Sequence, residues 1–402
     1  MDARNYLRWL AWFTVPILLL VGLTNYVIDP ESSHSLPDEN GLLPRSTHHS
    51  GHSKLHYLYH RNPEVLYFGS SRVVIGMPPD PALVRNESVY NAALAGATFG
   101  EFARMAQHAM STGTPKVLVM GLEFPLFHDD AGDSGLDPGL ISGSRAEYRV
   151  RRIFADVREA LSLSQTRHTL RSVQAHFAHQ GYDPDEPPGQ RTSHLGQSTD
   201  HFIERITLAR GMFVHAFQIK VALAFRAPPS AARVSAAMRR LDDVLRQACE
   251  RGIVVRVFVS PVHALAEDAV RLNGEWRRQE IWKEDLARFA SRYGKTCDLR
   301  VVDFSGYNSV TTEPLVNLSP KTSLEHYWEA SHFKSSVGAM ILGKLLWADA
   351  RGPEDFGREL REDTVDAVNA AIRAEQARYL ARNPHDVETA RRWAAEGVPP
   401  RK

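Results

Sequence analysis

Apolar residues along this chain fall into three patterns. The first is an uncharged run, Trp9 to Ile28, of about 20 residues, which is long enough to cross a bilayer. It is apolar on every face of a helix, which sets it apart from a core helix with one wet side. Trp9, Trp12 and Tyr26 lie near its ends, where interfacial aromatics belong. The second pattern is a series of short runs of strand length, rich in β-branched or aromatic residues: Glu64–Phe68, Ser88–Asn91, Lys116–Leu122, Ile253–Val259 and Leu299–Phe304. The third of these is apolar nearly throughout, as in a strand buried on both faces. The third pattern is helical spacing between these runs. It predicts helices over Phe99–Ser111, over the set Val234 to Ala248 stopped by Gly252, and over Trp276–Tyr293. A further helix is predicted from an N-cap at Ser335 or Ser336, with Val337, Ile341 and Leu345 inward. One more is expected over Glu354–Arg382, ended by Asn383-Pro384 and followed by a polar tail. Strands alternating with helices predict an α/β fold, a parallel sheet with helices on both faces.

Two stretches interrupt that rhythm. Residues 31–62 are polar and carry His48, His49, His52, His56 and His60. A helix would put four of these on one face, where a metal could sit, but neither a cysteine nor a tight acidic cluster completes a site. The reading is a solvated, membrane-proximal linker. Residues 128–230 are rich in Asp, Gly, Ser, Pro and His, with helical patches near Ala146–Leu163 and Ile203–Phe225. They read as an insertion over one end of the sheet, a lid or substrate platform. The apolar patch Met212–Phe225 within it is expected to pack on the domain, with contact to a membrane surface as the alternative. The expected division is therefore a stub and anchor over 1–30, a linker over 31–62, a main domain over 63–350 with its insertion, and a terminal helix and tail over 351–402.

Charge adds direction to the first of these segments. Arg4 and Arg8 precede the apolar run, and Asp29 and Glu31 follow it. The excess of positive charge on the cytoplasmic side then puts the N-terminus in the cytoplasm and the main domain outside. Beyond the run there is no small-x-small cleavage site, so an uncleaved anchor is expected rather than a signal peptide. Over the whole chain 48 Lys and Arg balance 47 Asp and Glu, and no global field points to nucleic acid. Cys249 and Cys297 make no metal pattern, and the sequence leaves their pairing open.

Candidate chemistry gathers at strand ends. Val65–Phe68 runs into Gly69-Ser70-Ser71-Arg72, and a serine just past a buried strand lies where open α/β sheets keep their sites. Gly-Ser-Ser equally suits a plain turn. Glu329 and His332 are expected in the loop before the Ser335 helix. Acyl transfer needs an activated hydroxyl, a base beside it and a group that orients the base. Ser71 fits as nucleophile, His332 as base and then acid, and Glu329 as the group holding the imidazole. The backbone N–H groups of Ser71 and Gly96 fit as oxyanion donors. Ser70, Arg72, Asn91, Glu123 and His263 are further candidates for substrate contact, though Arg72 also suits anchoring the loop. His263 follows the strand Ile253–Val259 in Ser260-Pro261-Val262-His263, and an alternative base or a structural role are both open to it.

Together these blocks resemble the SGNH (GDSL-like) hydrolase superfamily. Gly69-Ser70-Ser71 matches the Gly-Asp-Ser block with Ser70 in place of Asp, Asn91 with Gly96 resembles the second block, and Glu329-Ala330-Ser331-His332 matches Asp-x-x-His with Glu for Asp. The resemblance spans about 60–350 and implies a flavodoxin-like three-layer doubly wound sheet. With the anchor, it is similar to the D-alanyl-transfer protein of lipoteichoic acid assembly and to polysaccharide O-acetyltransferases. That implies a periplasmic or extracytoplasmic serine esterase or acyltransferase acting on a cell-envelope polysaccharide or polymer. It implies no cofactor and no metal, and a membrane acyl-donor protein as a partner. One block departs: Gly121-Leu122-Glu123 has a glutamate where the family's oxyanion Asn stands, and an ionised carboxylate cannot donate. Two roles are open to Glu123, binding substrate hydroxyls or being kept protonated by burial. A non-catalytic scaffold of a polymer-assembly complex is the alternative that this departure favours.

Overall fold

The computed structural model describes residues 2–30, 32–36, 42–43, 51–127, 136–177, 231–272, 274–314, 324–347 and 352–396. The apolar N-terminal run forms one helix, α1 (Ala3–Ile28), most of whose surface is exposed. It is long and apolar enough to span a bilayer. The main body is a mixed α/β fold on a six-stranded sheet. Its strands are β1 (Val65–Phe68), β2 (Val89–Asn91), β3 (Val117–Leu122), β4 (Val254–Val259), β5 (Leu299–Asp303) and an edge strand, Arg358–Glu359. Their order is β2-β1-β3-β4-β5-edge, with every pair parallel except the last.

Alternation along the strands fills two cores. Leu66 and Phe68 of β1 point into one, Val65 and Tyr67 into the other, because successive side chains of a strand leave opposite faces. The first core is closed by α2 (Gly51–Arg61), α4 (Phe99–Thr112), the helix Ala231–Glu250, the helix Trp276–Tyr293 and the helix Val365–Arg382. The second is closed by α3 (Ser71–Gly76), Ala264–Leu272 and Ser335–Trp347.

Several expectations need correction. Residues 51–61 are no solvated linker: α2 is buried from Gly51 to Tyr59. Leu55 and Leu58 enter the core, and Tyr57 stacks on Tyr90 with ring centroids 4.0 Å apart. Burial drives the His52 imidazole down to about 3 and that of His56 to about 2, so both pack as neutral rings. In sequence a histidine counts as water-seeking, but only its charged form resists burial. His48 and His49 lie outside the described residues, as does Ile203–Phe225. Within the insertion, α5 (Arg145–Ala160) is joined by a second helix, α6 (Leu163–Phe177). Of the stretch Glu354–Arg382, only Val365–Arg382 is helical, because Arg358–Glu359 pairs antiparallel with β5. The tail is helical over Pro384–Glu396, with Pro384 at the first position, where its missing N–H costs nothing. Glu329 and His332 lie on a two-stranded hairpin, β6 (Tyr327–Glu329) and β7 (His332–Phe333), not in an open loop.

Cys249 and Cys297 form a disulfide that ties the end of the helix Ala231–Glu250 to the chain entering β5. A link across 48 residues removes about 4 kcal/mol of loop-closure freedom from the unfolded chain. Replacing both cysteines by alanine is therefore expected to lower the unfolding free energy by about that amount. Denaturant titration of the oxidised parent and the variant checks it, and equal midpoints would show that the link contributes nothing.

Candidate active site

Ser71 is placed by a close approach of three backbones. Gly69 leaves β1 at φ 156°, and a Cβ there would lie 2.4 Å from Val73 Cγ2. A Cβ on Gly121 in β3 would meet the same methyl group at 2.4 Å. Glycine at both positions lets α3 start directly at the carboxyl end of β1. Ser70 caps that helix, its hydroxyl accepting from Arg72 N at 3.3 Å. Ser71 is the first helical residue, where N–H groups have no intrahelical acceptor.

The other half of the site comes from 261 residues further along the chain. The β6–β7 turn at Ala330-Ser331 sets Glu329 opposite His332. Glu329 accepts a short hydrogen bond from His332 Nδ1, while Ser71 Oγ lies 2.8 Å from His332 Nε2. With the Nδ1 proton committed to the carboxylate, Nε2 is the acceptor for the serine hydroxyl. Sequence reading passed over Ser331. Its N–H donates to Glu329 Oε2 and its hydroxyl to Oε1, both at 3.0 Å, so the carboxylate is held from two sides. Glu329 is 4 % exposed, and burial in low dielectric strengthens its hold on the imidazolium that proton transfer would create.

Ser70, Ser71, Arg72, Gly96, Glu123 and His332 line one cleft of about 310 Å³ beyond the strand ends. Gly96 has φ 74°, a left-handed conformation suited to glycine, in the turn after β2. Glu123 is not isolated. Its Oε2 lies 3.0 Å from Arg72 Nη1, and its Oε1 accepts from the Ser70 hydroxyl. Arg72 thus anchors the loop through an ion pair with Glu123, and both face the cleft. Burial pushes up the carboxyl of Glu267 in the same cleft lining, which accepts from Gln279 Nε2 at 3.1 Å.

Two candidates for substrate contact lie elsewhere. Asn91 is fully buried: its amide donates to Val73 O at 2.8 Å and Met77 O at 3.0 Å, and its carbonyl accepts from Ala93 N. It fastens α3 to β2 instead of reaching the cleft. Lys54 supports the same corner, its ammonium donating to Asn91 O and Ala93 O at 2.9 and 2.7 Å. His263 is also fully buried, with Nε2 on Glu313 O at 2.8 Å and Nδ1 accepting from Leu265 N. What it offers the site is its backbone, because His263 N donates to Ala330 O at 2.9 Å and steadies the β6–β7 turn. Sequence spacing places a residue after a strand, but cannot tell which way its side chain turns.

Away from the cleft, His52 Nδ1, Asp156 and Glu159 have ligating atoms within 4.8 Å of one another. Arg152 pairs with Asp156 at 2.8 Å beside them, a cation where a metal would need none.

Burial lowers the His263 imidazole to about 4, against 6.5 when free. Between those values the unfolded chain takes up a proton that the folded chain refuses, so stability falls as pH falls through that window. His263→Gln is expected to flatten the stability slope between pH 6.5 and 4 by about 1.4 kcal/mol per pH unit. Denaturant midpoints at pH 7, 6, 5 and 4.5 check this; an unchanged slope would contradict it. No protein-family model matches this chain, and no curated protein matches it.

Proposed function

We propose that this chain is a membrane-anchored serine esterase or acyltransferase of SGNH type, acting on ester groups of a cell-envelope polysaccharide or polymer. The observation that carries the reading is the continuous set Ser71 Oγ, His332 Nε2 and Nδ1, and Glu329, with 2.8 Å at the first step. The sheet order supports the family's flavodoxin-like arrangement, since β2-β1-β3-β4-β5 is the doubly wound order with its cleft outside the carboxyl ends. The disulfide suits an extracytoplasmic domain, and Arg4 and Arg8 before α1 suit a cytoplasmic N-terminus.

In this reading His332 Nε2 takes the Ser71 proton as Oγ attacks the acyl carbon. The Ser71 N–H, at the start of α3, and the Gly96 N–H serve as the donors for the developing oxyanion. Collapse of the tetrahedral species breaks the ester bond, and the imidazolium returns its proton to the departing alcohol. Water or an acceptor hydroxyl then repeats the sequence on the acyl-serine. Glu329, gripped by Ser331, keeps the imidazole in the required tautomer. Glu123 takes a substrate-facing role, because with Arg72 it forms a charged rim that can bond sugar hydroxyls. Phe124, Pro125 and Leu126 on the same wall offer an apolar seat for a short acyl chain.

Full-length protein in detergent is expected to release p-nitrophenol from p-nitrophenyl acetate in a burst. Ser71→Ala and His332→Ala should each lower turnover by at least about a thousandfold without loss of folded structure. Wild-type rates in either variant would remove the assignment. An inert parent would favour a binding or scaffold protein of polymer assembly, the reading to which Glu123 lends weight.

A further inference from the structure

The helices α5 and α6 present an apolar face that the rest of the described chain leaves uncovered. Ile153, Phe154, Val157 and Leu161 recur at helical spacing along one side of α5, and Leu163 and Leu170 continue it on α6. Phe154 is 73 % exposed and Leu163 78 %. Scattered exposed leucines need no explanation, but a contiguous face on two adjoining helices does.

The position of this hairpin relative to α1 says what covers it. Gly22 of α1 approaches Leu161, whose Cδ2 would lie 3.0 Å from a Cβ there. Asn25, 2 % exposed, spends its whole amide on the hairpin: Nδ2 donates to Ala160 O at 2.7 Å and to Thr166 Oγ1 at 2.9 Å, and Oδ1 accepts from Thr169 Oγ1 at 2.9 Å. A polar residue within an apolar span is thus satisfied by the α5–α6 junction. Gly22 lies six residues before the helix end at Ile28, which is roughly 9 Å along the axis. The hairpin therefore touches the span below its exit, at the depth where interfacial helices bury their apolar face, about 5–10 Å. The chain leaving α1 is fastened to the same place, since Ser33 Oγ bonds Glu159 Oε1 at 2.9 Å and His52 Nδ1 lies 3.0 Å from Glu159 Oε2. Hairpin, span and α2 are one connected body at this corner.

Charge agrees with the depth. Between 145 and 177 the chain has seven arginines and three carboxylates. Arg167 and Arg171 on α6 are exposed and able to reach phosphate headgroups while the aliphatic and aromatic side chains go deeper, whereas Arg149, Arg151 and Arg158, also exposed, bond Tyr59 Oη, Glu147 and Asp137 within the protein.

From these observations we infer that α5 and α6 lie in the bilayer interface beside α1, with the Phe154–Leu163 face in the acyl-chain boundary. The anchor is then a three-helix device that fixes the height and tilt of the main domain over the membrane, in place of a single tether. The inference rests on α1 spanning the bilayer and not on the chemistry of the cleft.

Nitroxide labelling of full-length protein tests it. Phe154→Cys, Leu163→Cys, Leu19→Cys in α1 and the exposed Asp363→Cys are labelled singly, with the native disulfide kept oxidised, and reconstituted in vesicles containing an anionic phospholipid. Collision with oxygen is expected to exceed collision with a water-soluble nickel chelate at Leu19, Phe154 and Leu163, and the order to invert at Asp363. If Leu19 reports lipid while Phe154 and Leu163 report water, the interfacial placement is overturned and only the single span stands. If both hairpin labels are shielded from both relaxants, protein covers the face and the inference also fails. Spin–spin broadening would then identify a second copy as the cover, and its absence would point to residues 178–230.

Discussion

The candidate site depends on one steric constraint, the meeting of β1, β3 and α3 around the Val73 methyl group. With any side chain at Gly69 or Gly121, α3 would have to move away from the sheet. Ser71 would then leave the end of β1, and His332 Nε2 would lose its partner. The neighbouring hydrogen bonds reinforce this corner rather than create it. Asn91 ties α3 to β2, Lys54 closes the β2 turn from below, and Leu94 N bonds Gly69 O at 3.0 Å. A serine brought this close to a histidine on a distant hairpin needs both halves rigid, because a shift of an ångström is enough to break a catalytic hydrogen bond.

Much of this was legible in sequence where periodicity carries the information. The five parallel strands and the helices Phe99–Thr112 and Trp276–Tyr293 follow from runs and spacings that burial on a face imposes. The Ser71, Glu329 and His332 positions were legible as residues at strand ends, and the fold brings the three within hydrogen-bond reach. What sequence could not give is orientation. Asn91 and His263 stand at the right places along the chain, yet both side chains turn into protein and bond backbone. Composition misled at α2, since histidine counts as polar until burial has made it neutral. Ser331 carried no signal, because its work comes from a turn that exists only once β6 and β7 pair.

The Glu123–Arg72 pair and the anchoring corner give the molecule its polarity. Glu123 stands where a neutral oxyanion donor would be expected in the proposed family, and its carboxylate is instead committed to Arg72 and Ser70. That couples the rim of the cleft to the loop holding Ser71, so contact at the rim and serine placement share a hydrogen-bond network. At the other end, Glu159 gathers Ser33 from the α1 exit and His52 from α2, and α2 leads directly into β1. Among the described residues, α1, α2 and β1 are thus linked through Glu159 and through buried packing of α2.

The most direct test of the central claim is to treat the full-length protein with a fluorophosphonate and map the adduct by peptide mass spectrometry. A nucleophilic serine activated by the histidine predicts one phosphonyl group on Ser71, lost in His332→Ala and retained in Glu123→Gln. An unmodified Ser71, or a label that persists without His332, would contradict the account and leave the cleft as a binding surface.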